Sequence, residues 1–450
     1  MKNSFRLLLP LLAISLLLSC GGGGIQTQSN GNPTPSGNSP PTLTNTQSFS
    51  NGTVQLNALS LGQDFPPALE IPDIDGLRST AFVVSFLPAV LAVDLDAQPL
   101  GLSAKFKGFD ATTSSEVAFP NNLLILNPSL GLLMGTSDFN GTSAVVAFDP
   151  TTGQKIDSLN LSQSINLTQA LPYSRPADCD GDNTTQSSIP AGPYTPNYAA
   201  AMAVAGSRLF VTMSDLCFDA SGSVYTQGLV QVFDLHSSPP ILTKAATPFF
   251  ITAGYNATGL TVVGNHLLVT ASGDTNLSGG ISTPESDSYL TEIDPVTLQE
   301  ENVLNLGKVA LNFQPLAVTQ DQSRGFIGSS TYSEVYEIDL DHFQALRGTN
   351  NLIPIYNSSS DFLSDQKIAE GDQVLFVSSF NNSAIRGVDL QDANLGVLPK
   401  ILDFAFTGNP GTTGAGPTAL RPGIPGKDFQ GPDLWVLTSN PGTLSSATTY

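Results

Sequence analysis

The chain has 450 residues, of which 40% are hydrophobic and 41 are glycine, so it carries the apolar share of an ordinary globular protein and wholesale disorder is excluded. Only 12% are charged, about half the usual share, and 17 basic against 38 acidic side chains leave a net charge of −21. Such a surface repels phosphate backbones and anionic lipid faces, which argues against nucleic acid as a partner.

Lys2 and Arg6 precede an apolar run from Leu7 to Leu18 that is interrupted by Pro10. A bilayer-spanning helix needs about 20 such residues, so the run reads as the apolar region of a signal peptide, residues 1–19. It ends in Leu17-Leu18-Ser19-Cys20 followed by Gly21 to Gly24, which resembles the bacterial lipobox. The resemblance implies cleavage before Cys20 and acylation of that residue, each buried methylene then adding about 0.8 kcal/mol of membrane attachment. Gly21 in place of Asp is similar to lipoproteins exported to the outer membrane, so the implied location is the bacterial cell envelope. A plain secretory signal with an incidental cysteine is the competing reading. Residues 20–50, nearly all Gly, Ser, Thr, Asn, Gln and Pro, have little to bury and predict a solvated tether ahead of a domain at 51–450.

Through that domain one short strand recurs, as Phe82-Val83-Val84-Ser85-Phe86, Leu132-Leu133-Met134-Gly135-Thr136, Leu209-Phe210-Val211-Thr212-Met213 and Leu267-Leu268-Val269-Thr270-Ala271. It returns three more times, at Gly325, Leu375 and Leu434. After six of the copies comes a second run ending in Asp, at Asp94, Asp149, Asp234, Asp294, Asp339 and Asp389. A strand unit repeated at this spacing, with no long stretch of helical periodicity, predicts an all-β chain folded as a β-propeller. Seven blades are expected, with six or eight compatible. The repeat, best displayed by Ser378 to Asp389, resembles the YVTN-type β-propellers; the resemblance covers 51–450 and implies a fold rather than a chemistry. Few residues follow the seventh copy, so a strand within Thr53 to Leu61 is expected to complete the last sheet and close the ring.

The strand-end aspartates precede turns such as Asp149-Pro150-Thr151-Thr152-Gly153, where a short carboxylate accepts backbone N–H bonds, so they are read as structural. Trp435, the single tryptophan, replaces Phe or Leu of the sister strands and is expected in the core. With the chain running outward through strands a to d, the b–c and d–a connections share one face and the a–b and c–d turns the other. Three long excursions, near 161–197, 215–228 and 274–288, fall together on the first face. Loops on rigid scaffolds carry binding, which makes that patch the expected binding face, marked by Asp215, Asp219 and Asp274.

Cys179 and Cys217 both lie in these excursions, and in an exported protein whose Cys20 is acylated they make an even pair, expected to form a disulfide. Asp178, Asp180, Asp182 and Asn183 surround Cys179 at a spacing that lets a turning loop converge oxygens on a structural Ca²⁺ ion. Asn183 and Ile189 stand where an EF-hand needs Gly and Glu, and a solvated acidic turn is the alternative. No other cofactor is implied.

The three histidines, His236, His266 and His342, lean toward the less decorated face, and no nucleophile elbow, phosphate loop or dinucleotide fingerprint appears. No catalytic residue is assigned. The leading expectation is a lipid-anchored, non-catalytic module that binds or scaffolds an unidentified protein or polysaccharide. The enzymatic alternative is a metal-dependent lactonase-like propeller, which needs acidic or amide side chains converging at the central opening; a small-ligand or ion sensor is the other.

Overall fold

The computed structural model describes residues 46–48 and 58–60 and, between 68 and 447, all but a set of connecting segments, the longest being 162–197, 391–400, 405–416 and 423–433. The recurring run is the second strand of an antiparallel sheet every time: Thr80–Ser85, Leu130–Thr136, Arg208–Ser214, His266–Ala271, Arg324–Gly328, Val374–Ser379 and Leu434–Thr438. Its apolar residues are continuous because both of its faces are covered by neighbouring sheets. Leu130 through Gly135 are all buried, whereas the outermost strand Glu300–Gly307 is mostly exposed.

Six sheets are each built from strands taken in chain order, and they form blades I to VI at 68–110, 119–160, 198–255, 257–307, 317–354 and 363–404. Consecutive strands alone therefore make six blades rather than the expected seven. The seventh copy belongs to a closing sheet that the two ends of the chain build jointly: Pro417–Pro422, Leu434–Thr438 and Thr443–Ala447 are completed by Ala58–Ser60, with Ala58 opposite Ser445 and Ser60 opposite Thr443. The strand expected within Thr53 to Leu61 is thus in place, and it covers an edge that would otherwise be open to a second chain. Thr46–Ser48, inside the stretch read as tether, runs parallel to Ile401–Phe404 on the rim of blade VI.

Buried apolar side chains gather at the joints between neighbouring sheets. Phe82, Phe106, Phe109 and Phe148 fill the joint of blades I and II, where Phe109 and Phe148 stack with centroids 5.0 Å apart. Leu268, Ile327 and Tyr336 fill that of blades IV and V. Leu69, Val83, Trp435 and Leu437 join the closing sheet to blade I and complete the circle, with Trp435 only 6% exposed. Burying each such side chain is worth about 1.5–3 kcal/mol. Gly131 is required beneath Phe148, since a Cβ there would lie 2.5 Å from its ring.

Strand-end aspartates serve the turns, as read from the sequence. Asp149 Oδ1 accepts from the backbone N–H of Thr151 and Thr152 at 2.8 and 3.1 Å, and Asp294 Oδ1 from Val296 and Thr297 at 2.7 and 3.1 Å. Those backbone donors hold the Asp294 carboxyl below the usual range. Asp234 departs from the pattern: its strand, Gln227–Ser237, runs past it, and its carboxylate lies 3.8 Å from Arg208.

Candidate functional site

Blade IV consists of Ala257–Val263, His266–Ala271, Ser288–Ile293 and Glu300–Gly307. A tight turn at Gly264-Asn265 sets His266 at the head of the second strand. Glu292 stands opposite Leu268, two residues along, so its side chain shares the histidine's face of the sheet. Glu292 in turn pairs with Asn302, while its neighbour Ile293 pairs with Glu300, which leaves Glu301 as the extra residue of a bulge. Bulges re-aim side chains, and this one turns Glu301 onto the same imidazole.

The result is a compact group of three ligating side chains on three adjacent strands. His266 Nδ1 lies 2.7 Å from Glu301 Oε2 and 3.3 Å from Glu292 Oε1. Asn302 Nδ2 donates to the other Glu292 oxygen at 2.6 Å. Glu292 is 15% exposed, Glu301 37% and His266 45%, a gradient from the sheet outward. Among the described residues this is the one set of His, Cys, Asp or Glu whose ligand atoms all fall within 4.8 Å of one another.

Blade V supplies the opposite wall. Asp321 and Gln322 come from the turn between Ala317–Val318 and Arg324–Gly328, and Leu340 to Phe343 from the turn after Glu334–Asp339. Between the walls lies a groove of about 720 Å³. Gly264 has φ +57°, a backbone conformation that side chains disfavour, and Gln322 Oε1 reaches within 3.2 Å of where its Cβ would be. Hydrogen bonds from Thr319 and Ser323 hold the Asp321 carboxyl below its ordinary range. Burial pushes the Asp339 carboxyl the other way, but the bonds from His342 and Gln344 prevail and lower it.

Every wall residue belongs to an a–b or c–d turn or a strand end beside one, so the groove opens on the face opposite the long excursions. His266 and His342 are on that face, as the sequence indicates. Glu292, Glu301, Asp321 and Asp341 were not singled out from the sequence. Only the alternation of a strand and an acidic pair at Glu300-Glu301 hinted at them, and a bulge leaves no signature of its own.

Of the residues expected to mark the binding face, Asp215 and Asp274 lie outside the described residues, and Asp219 ends the strand Leu216–Asp219. That strand forms a hairpin with Gly222–Tyr225, and Thr275–Ser278 forms another with Ile281–Pro284. Gly222–Tyr225 lies against Thr275–Ser278, so the excursions of blades III and IV touch. Cys217 sits on the first hairpin. Cys20, Asp178, Cys179, Asp180, Asp182 and Asn183 lie outside the described residues.

The lactonase-like alternative concerns the first strands of the blades, which pack on one another around the ring. Here Asp365 of Leu363–Ile368 is fully buried and 2.6 Å from Lys367 Nζ, and its second oxygen accepts from the Leu420 backbone at 2.8 Å. Arg421 is 3.9 Å from the same carboxylate and 3.2 Å from Glu70 of Ala68–Glu70. These carboxylates meet cations of the chain itself, across the joints of blade VI, the closing sheet and blade I. Burial lowers the Lys367 ammonium below its usual range, opposed by Asp365.

No helix among the described residues is long and apolar enough to cross a membrane. No family model and no curated protein matches the chain. Solved propellers do. The β-propeller domain of Cps50 (Swd1) from Myceliophteria thermophila is 10% identical, with 87% of this chain and 100% of that one covered at a TM-score of 0.48. The Dos1 propeller is 11% identical, covering 85% and 78% at 0.46, and Kluyveromyces lactis Hsv2 is 7% identical, covering 80% and 86% at 0.45. The assignment of the β-propeller rests on the strand pairing above, since likenesses at this level say nothing of ligand or partner.

Proposed function

We propose that this protein is a lipid-anchored, non-catalytic β-propeller of the bacterial cell envelope that presents its b–c face to a protein partner. We count the closing sheet as a seventh blade, in keeping with seven copies of a repeat that resembles the YVTN type. One observation carries the functional reading: the two hairpins of blades III and IV, both carried by b–c connections, lie against each other, and connecting loops on a packed scaffold are where binding sits. Acylation of Cys20 supplies the attachment, and a Cys179–Cys217 disulfide ties the long link at 162–197 to the first hairpin. In the chain-entropy model that bridge contributes about 4 kcal/mol.

The test is cross-linking and recovery of partners by the full-length protein from detergent-solubilised envelope, beside a variant in which residues 275–284, the hairpin without a cysteine, are replaced by a short Gly-Ser turn. A specific protein recovered by the parent and reduced at least tenfold in a variant of unchanged melting temperature is the expected result. Equal recovery by both, or capture of polysaccharide alone, overturns the protein-partner reading. In the same material Cys20→Ala moves the protein to the soluble fraction.

A further inference from the structure

We infer that His266, Glu292 and Glu301 bind a divalent transition-metal ion of the Zn²⁺ class, on the face opposite the hairpins and independently of their role. The starting point is a mismatch of donors and acceptors. Nδ1 of an imidazole carries one proton or one lone pair, yet two carboxylate oxygens face it, at 2.7 and 3.3 Å. One N–H satisfies one of them. The other oxygen of Glu292 is already held by Asn302, so two carboxylates converge on one imidazole nitrogen that can donate a single hydrogen. A cation between the three side chains removes that mismatch, taking a lone pair from each.

Ligand chemistry selects the kind of ion. Calcium and magnesium prefer all-oxygen shells, whereas one imidazole nitrogen with two carboxylates suits zinc and its neighbours in the first transition row. Three protein ligands leave a position open to the groove for water or a further group. Asn302 acts as the positioning residue that orients a ligating carboxylate through its second oxygen, the usual supporting contact at metal sites. The bulge at Glu301 is the backbone device that brings the third ligand in. Asp321 and Asp341 add negative charge to the groove, which raises the local concentration of cations.

The experiment is titration of Zn²⁺ into chelator-treated, full-length protein in detergent, followed by calorimetry and by melting temperature. One stoichiometric site is expected, with a melting temperature that rises as Zn²⁺ is added. Glu301→Gln and His266→Ala each weaken Zn²⁺ affinity at least tenfold, Asn302→Ala does so by a smaller factor, and Asp180→Asn leaves it unchanged. Glu301→Gln is an exposed, nearly isosteric change and decides the matter if His266→Ala fails to fold. Three results overturn the inference: no Zn²⁺ site, a Zn²⁺ site untouched by Glu301→Gln but lost with Cys217→Ala, or a preference for Ca²⁺ over Zn²⁺.

Discussion

The joint that closes the ring and the groove between blades IV and V both concentrate carboxylates, yet they treat them differently. At the closure, Asp365 is fully buried and answered by Lys367, by a backbone N–H and at longer range by Arg421, which also meets Glu70. In the groove, Glu292 and Glu301 share one imidazole, with an amide as the remaining donor. Glu334, near the start of the third strand of blade V, is a third case, hydrogen-bonded by the Tyr336 hydroxyl rather than by a cation. The difference teaches that charge at a propeller joint can be neutralised to hold neighbouring sheets together or left in excess at an open groove. Only the second arrangement invites an ion from outside.

Three substitutions separate these environments. The largest effect belongs to Asp365→Ala, which strands a buried ammonium at the closure and costs about 3–5 kcal/mol of stability, read by urea unfolding. A loss below about 1 kcal/mol would show that the joint does not depend on this pair.

Glu334→Gln comes next. Burial raises the Glu334 carboxyl above its usual range, although the Tyr336 hydrogen bond opposes the shift. The folded state therefore holds its proton more tightly than the unfolded state. That contribution is complete below the unfolded pKa and is lost as pH rises through the folded one. The amide keeps an acceptor for Tyr336 without the charge, so the variant equals the parent in acid and exceeds it by up to about 1 kcal/mol at neutral pH. Melting curves across that range check the sign, and a parallel pH profile for both proteins contradicts it.

Glu301→Gln in metal-free protein has the smallest effect. The side chain is more than a third exposed and faces another carboxylate, so screening keeps the change within about 0.5 kcal/mol, and removal of like-charge repulsion makes it zero or stabilising. A loss comparable to that of Asp365→Ala would make the groove a structural ion pair.

Much of the architecture was legible in the sequence because the blade is a repeated solution to one packing problem. A strand covered on both faces must be apolar throughout, and Phe82, Leu132, Phe210 and Leu267 announce it each time. The turn after the third strand selects Asp149 and Asp294 for the same local reason, a carboxylate accepting the next backbone N–H groups. The closing strand was legible because the last copy lacked a fourth strand. The number of self-contained blades was not, since the copy at Leu434 looks like any other and only pairing with Ala58–Ser60 reveals its sheet as composite.

Local chemistry, then, was determined by the order of residues: a strand module, its turns, and three histidines leaning to one face. Tertiary structure alone decided which carboxylates meet His266. Glu292 reaches His266 across a strand pair and Glu301 arrives through one extra residue in a ladder, while Asp321 and Asp341 line the groove from the next blade. Bulges and neighbouring-blade contacts depend on register and on the angle between sheets, which are set by the packing of many side chains at once and leave no short-range mark along the chain.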